Sequence, residues 1–203
     1  ASNYLRNAIF TNELEAGAAL CEADIADKLQ MSRSPIREAI RELETEGLLI
    51  SYKSRGTFVS TVSHTDITEI FALRLLLETY AFERSFAKID ANELESIEKA
   101  SKAAYESQNL AAYHEADMAL HRLFMEKSGN KRLTKIIDNL NTHIERISRI
   151  SASYIEYLSE SHQEHLNIIN AIRAKDIAAG LTALKTHLQM VEKRTVKTFN
   201  DVD

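Results

Sequence analysis

The chain has 203 residues, 44% hydrophobic and 27% charged, the profile of a water-soluble globular protein with ample length for a buried core unaided by disulfides or a structural metal. Five glycines and one proline amount to about 3% of residues against a usual ~12%, which excludes collagen-like repeats and Gly/Ser linkers and makes helix the default. The net charge of −5 argues against indiscriminate nucleic-acid binding. Residues 1–62 hold seven Lys and Arg against nine Asp and Glu, a net of −2, so any DNA-binding charge must be concentrated on one face. The lone cysteine, Cys21, excludes a disulfide scaffold and suits a reducing cytoplasm; beside Leu20 it is expected to be a small buried hydrophobe. No apolar run approaches 18 residues, and the N-terminal stretch lacks a signal-peptide core, so the expected location is cytoplasmic, without membrane contact. Because the first residue is Ala1, a few preceding residues are expected to be missing.

Three short helical patterns come first. Tyr4, Leu5, Ala8 and Ile9 share one helical face, as do Ile25, Ala26 and Leu29. The third pattern starts at Ser34-Pro35, with proline placed at the first helical position, and runs through Ile36, Ala39, Ile40 and Leu43 to Gly47. The period then changes: 48–52 and 57–61 are β-branched or aromatic runs around Lys53-Ser54-Arg55-Gly56, which reads as a hairpin. Three helices and a hairpin spell a winged helix-turn-helix. Beyond it the spacing predicts helices over 64–87, 91–107, 110–128, 131–150, 158–173 and 176–199, an all-α six-helix bundle with breaks at Gly129-Asn130 and Lys175-Asp176. The expected fold is therefore mainly α, with a winged-helix domain over 1–62 and a helical domain over 63–203.

In the third helix Arg33, Arg37 and Arg41 recur at i, i+4 and i+8, forming a stripe beside the apolar Ile36, Ala39, Ile40 and Leu43. Such a helix buries one side and presents Arg and Ser at its N-terminal end, as a recognition helix does in a major groove. The plainer alternative is a solvated helix whose Arg37, Arg41, Glu38 and Glu42 pair at i, i+4. Lys53 and Arg55 at the hairpin tip weigh toward DNA.

Here the sequence resembles the winged-helix domain of GntR-family bacterial regulators. The residues that carry the likeness are Leu20-Cys21-Glu22, Ile25-Ala26-Asp27-Lys28-Leu29, Ser32-Arg33-Ser34-Pro35-Ile36-Arg37-Glu38-Ala39-Ile40, Glu46-Gly47-Leu48 and Arg55-Gly56-Thr57-Phe58-Val59. The resemblance implies a homodimer on a palindromic operator in double-stranded DNA. Ser32, Arg33, Ser34, Arg37, Arg41, Lys53, Arg55 and Gly56 are then the expected DNA-binding residues. Two departures are Ala16-Gly17, where the family usually has Pro-Gly, and Ala23, where some members place an arginine on DNA.

In the bundle, Asp117 and His121 lie one turn apart on an arc shared with Tyr113 and Phe124, which puts a carboxylate on a face that should be core. His165 sits in the stripe of Leu158, Ile168, Ile169 and Ile172, and His187 beside Leu184 and Val191. Three imidazoles and a carboxylate directed inward suit Zn²⁺, with Ni²⁺, Mn²⁺ or Fe²⁺ possible; taken singly, each His also suits a satisfied core position. This half resembles the FCD ligand-binding domain of the FadR subfamily, through Arg74, Glu78, Asp117, His121-Arg122-Leu123, Glu164-His165 and His187. The resemblance implies that Asp117, His121, His165 and His187 hold a divalent metal to which a small organic or sugar acid binds. Arg74 and Arg146 are candidates for the effector's second anionic group, although Arg74 has Glu78 one turn away; Asn139 and His143 are candidate cavity residues. His64, His114 and His162 receive no role. The expectation is a non-enzymatic, effector-responsive regulator, a repressor rather than an activator. The rivals are a metal-dependent enzyme with a DNA-binding appendage, using Glu164 or His162 as base, and a metal sensor.

Overall fold

The computed structural model describes residues 1–152 and 157–200, except for the side chains at 138, 139, 141, 142, 148–152, 199 and 200. The chain divides into two compact units, Ala1–Ser63 and His64–Asp203.

In the first unit α1 (Ser2–Phe10), α2 (Glu22–Leu29) and α3 (Arg33–Thr45) are joined by three short strands, β1 (Ala19–Leu20), β2 (Leu49–Tyr52) and β3 (Gly56–Val59). The antiparallel sheet runs in the order β1-β3-β2, with Ala19 opposite Phe58 and Leu49 opposite Val59. The two-residue β1 carries no alternating pattern of its own, and sequence reasoning missed it. Proline also falls differently: Ser32 is the N-cap of α3, so Pro35 is its third residue. The N–H of that position is still among the four without an intrahelical partner, so the ring costs nothing. Leu5, Ile36, Leu43 and Leu48 are fully buried at the centre of this unit. The turn between β2 and β3 requires positive φ at Ser54 (69°) and Gly56 (95°), which glycine supplies without strain. Cys21, in contrast to its expected burial, is exposed: it occupies the extended N-cap position of α2 and not a core-facing turn of the helix.

The second unit contains α4 (His64–Ser85), a 3₁₀ turn (Phe86–Lys88), α5 (Ala91–Glu106), α6 (Leu110–Ser128), α7 (Lys131–Ala152), α8 (Leu158–Arg173) and α9 (Ile177–Asn200). Polar side chains set the helix starts: Asp90 accepts from the Asn92 amide, Asn109 from Ala112, Asn130 from Arg132 and Leu133, and Asp176 from Ala179. Helix α4 packs on α6, α7 and α9, and α8 on α5 and α9. The core they share contains Phe82, Leu120, Phe124, Ile168, Leu184 and Leu188. No helix among the described residues is long and apolar enough to cross a membrane.

Candidate metal centre and nucleic-acid interface

One turn of α6 aims Asp117 and His121 the same way; α8 contributes His165 and α9 His187. Their ligand atoms all lie within 4.8 Å of one another. His121 Nε2 and His165 Nε2 are each 3.3 Å from His187 Nε2. Asp117 Oδ1 is 2.8 Å from His165 Nε2, 3.4 Å from His121 Nε2 and 3.9 Å from His187 Nε2. Two donors each bonded at about 2.1 Å to one cation sit roughly 3.0–3.4 Å apart, so most of these separations are edges of a metal coordination shell.

The outward ring nitrogens decide whether this is a donor set or a packed cluster. His121 Nδ1 meets a Glu78 carboxylate oxygen, His187 Nδ1 is 2.9 Å from Glu164 Oε2, and His165 Nδ1 is 3.0 Å from the Tyr113 hydroxyl, which in turn donates to Ser161 Oγ. With each Nδ1–H spent on an oxygen, all three Nε2 lone pairs face inward, the arrangement by which outer partners fix the tautomer of metal-bound histidines. The donor set therefore fits a divalent cation. The outer partners are themselves anchored: Arg74 Nε donates to Glu78 Oε1 at 2.5 Å, and Arg194 forks onto Glu164 at 2.9 and 2.6 Å. Glu78, Tyr113 and Arg194 escaped the sequence reading as parts of this site, and Glu164 was considered there only as a possible base. Glu78 and Glu164 do stand at helical spacing from Arg74 and beside His165, a signal that only the packing of the helices made specific.

The charges follow the same geometry. Burial opposes ionisation of Asp117, but the His121 and His165 imidazoles beside it hold its carboxyl well below the usual range. Burial likewise pushes His121 down, yet the Glu78 carboxylate outweighs it and raises the imidazole to about 9. Glu78, itself fully buried, is kept at about 2 by Arg74 and His121. His187 goes the other way, to about 3, through burial and the neighbouring His165. Asp117 thus calls for positive charge at the centre, which a proton on His121 or a metal ion provides.

A cavity of about 330 Å³ adjoins the cluster, lined by Arg74, Glu78, His121 and Arg122 together with Met118, Met125, Glu126, Thr134, Ile137 and Ile144. Arg74 is thus both paired to Glu78 and part of this wall. His143 and Arg146, on α7, are not in that lining; burial, with Arg146 nearby, lowers the His143 imidazole below its usual range against the opposing pull of Asp66. The side chain of Asn139 lies outside the described residues. His162 is away from the cluster, stacked on Tyr105 with ring centroids 4.4 Å apart.

On the first unit, Arg33, Ser34, Arg37 and Arg41 are exposed along α3, and Ser32 caps it without a side-chain hydrogen bond. Lys53, Arg55 and Gly56 are exposed at the hairpin tip. Among the described residues no ion pair joins these arginines to an acidic residue of α3: Glu42 and the C-cap Glu46 reach Arg6 of α1, and Arg37 reaches Glu22 of α2.

Residues 69–190 match the FCD domain, and residues 1–59 match the bacterial regulatory proteins of the gntR family. The chain belongs to the GntR family and carries an FCD domain. This GntR regulator is 29% identical over 201 residues to the gluconate operon transcriptional repressor of Bacillus subtilis, covering 94% of this chain and 81% of the relative. A GntR transcriptional regulator from Rhodococcus sp. RHA1 shares the fold at TM-score 0.81 and 22% identity, over 97% of this chain and 95% of the other. The Zn²⁺-bound FCD domain of TM0439 aligns at TM-score 0.59 and 26% identity over 69% of this chain and 98% of its own. The regulator is accordingly a DNA-binding transcription factor whose helical unit is a ligand-binding domain. Its His/Asp cluster and its Zn²⁺-bound neighbour point to a divalent metal.

Proposed function

We propose that the regulator is a cytoplasmic, homodimeric repressor whose operator affinity is set by a small carboxylate or sugar acid bound beside a divalent metal, zinc before nickel, manganese or iron. Asp117, His121, His165 and His187 are the proposed ligands. The observation that carries this reading is the convergence of three Nε2 atoms and Asp117, each imidazole oriented from behind, next to a 330 Å³ cavity that His121 lines. When bound, the metal supplies a Lewis-acidic position for a carboxylate oxygen. Arg74 and Arg122 add positive charge to the same wall. His143, Arg146 and Asn139 remain proposed contributors on α7.

On the DNA side, Ser32, Arg33, Ser34, Arg37 and Arg41 of α3 and Lys53, Arg55 and Gly56 of the hairpin form the proposed contact surface. A two-fold operator needs two copies of this head. The exposed apolar stripe Leu73, Leu76 and Tyr80 on α4, with Ile136 on the adjacent α7, supports a self-association face. An enzymatic reading lacks support from its suggested bases: Glu164 is engaged by His187 and Arg194, and His162 lies outside the cluster.

Thermal unfolding against a panel of mono- and dicarboxylates and sugar acids, before and after chelation, tests the proposal. A ligand at 100 times its dissociation constant adds about 2.7 kcal/mol, roughly 5–10 °C for a chain of this size. A shift for one acid that vanishes after chelation supports the anchoring role. No shift for any acid, with a large drop on chelation alone, overturns it in favour of a structural metal or a metal signal.

A further inference from the structure

The cavity beside the histidine cluster follows one strip of α6. Met118, His121, Arg122, Met125 and Glu126 all line it, and positions i, i+3, i+4, i+7 and i+8 share a helix face. From His121 to Glu126 the helix rises about 7.5 Å. One end of the cavity thus belongs to His121 with the buried Arg74 and Glu78, and the other to Glu126 in the last turn of α6, with Arg122 one turn before it. The polar groups of the first end are already engaged: Arg74 holds Glu78, and Glu78 meets His121. Met118, Met125, Ile137 and Ile144 make much of the remaining wall apolar, and Thr134 spends its hydroxyl proton on the Asn130 carbonyl at 3.3 Å.

Arg122 and Glu126 differ from these. Both are exposed, and among the described residues neither side chain makes an ion pair or hydrogen bond, to the other or to any neighbour. A cation one turn before an acid is the less favourable order for an intrahelical pair, so both charges stay available. A sugar acid would bring several hydroxyls to this wall, each needing a partner once it leaves water. The wall instead holds two unspent groups of opposite sign, the complement of an amino-acid head: a guanidinium fork for a carboxylate and a carboxylate for an ammonium.

We infer that the effector is an acidic amino acid, with its α-carboxylate on Arg122, its α-ammonium on Glu126, its methylenes along the methionines and isoleucines, and its side-chain carboxylate at the cluster end. The inference rests on the carboxylate-binding role proposed for this cavity and narrows it. Glu126 is the specificity-determining residue. A dicarboxylate without the ammonium satisfies Arg122 but leaves Glu126 unmatched, with a second negative charge beside it.

The test is titration calorimetry of the metal-loaded full chain with L-glutamate and L-α-aminoadipate, with glutarate and adipate, which lack only the ammonium, and with gluconate. The wild-type chain is expected to prefer each amino acid over its deaminated counterpart by about tenfold. Glu126→Gln is expected to erase that preference while binding the plain dicarboxylate at least as well as before. Arg122→Gln is expected to weaken both members of each pair alike. If glutarate and adipate bind as tightly as the amino acids, or gluconate binds more tightly than either, the inference falls while the carboxylate reading of the cavity stands. If the preference exists but survives Glu126→Gln, the ammonium is held elsewhere and the assignment to Glu126 is overturned. If none of the five acids binds, the reading beneath it falls too. Both substituted side chains are exposed, and melting of each variant by circular dichroism separates these outcomes from misfolding.

Discussion

Each imidazole offers a metal one nitrogen, and the acceptor on the other nitrogen selects which. Glu164 does this for His187, and it is not itself among the four residues whose ligand atoms converge. Glu164→Gln should therefore weaken metal binding by about 10- to 100-fold, the usual range for an outer partner, when measured by competition with a chromophoric chelator. Unchanged affinity would mean that packing alone orients His187. The other outer arm is more deeply buried: Arg74 and Glu78 are each about 2% exposed and joined at 2.5 Å. Arg74→Met removes the partner of a buried carboxylate and should cost about 3–5 kcal/mol in urea unfolding. The double replacement Arg74→Met with Glu78→Leu should cost less than the single one, since no buried charge is then stranded; an equal or larger cost would show that the helices need Glu78 for another reason, its grip on His121 being the first candidate.

At the scale of the elements, α9 meets α4 through a glycine. A Cβ on Gly180 would lie 2.6 Å from Phe82 Cζ and 2.9 Å from Cε1. Phe82 is fully buried, with the Phe86 and Phe124 rings 5.4 and 5.1 Å away, so its ring has little room to withdraw. Gly180→Ala should gain about 1 kcal/mol of helix propensity and lose about 1–3 kcal/mol to overpacking. The expected net result is destabilisation, read as a lower urea midpoint and eased by Phe82→Leu; a raised midpoint would show that the two helices slide apart at little cost. This contact also marks the limit of what the chain discloses before it is folded. The helices of the second unit were legible within about two residues because apolar period and capping residues are local. Asp117 with His121, one turn apart on a single helix, was legible for the same reason. The closeness of Gly180 to Phe82, of Tyr113 to His165 and of Glu22 to Arg37 depends on which faces of distant helices meet, and no local period encodes that. Strand β1 is only two residues long and owes its pairing to β3, so it left no pattern, and Cys21 was misread because its apolar neighbour Leu20 belongs to that strand while Cys21 itself begins a helix.

For the whole molecule, the proposal joins two sites on different compact units by a linkage, and linkage is reciprocal. If the acid that stabilises the helical unit weakens operator binding by a given factor, operator DNA must weaken binding of that acid by the same factor. Coupling of this kind typically spans about 5- to 150-fold, or 1–3 kcal/mol, well within the reach of titration calorimetry. The measurement is the affinity of the acid for the metal-loaded regulator, free and saturated with a selected operator duplex, alongside operator affinity with and without the acid. Equal factors are expected. A regulator that loses operator on adding the acid, yet binds the acid equally well with and without DNA, would break the cycle; its response would then come from the acid stripping the metal from Asp117, His121, His165 and His187. That alternative has its own signature, since any chelator of matched strength would release the operator as well as the acid does. A non-coordinating analogue that still fills the Arg74 and Arg122 wall would release it only if the cavity itself carries the coupling.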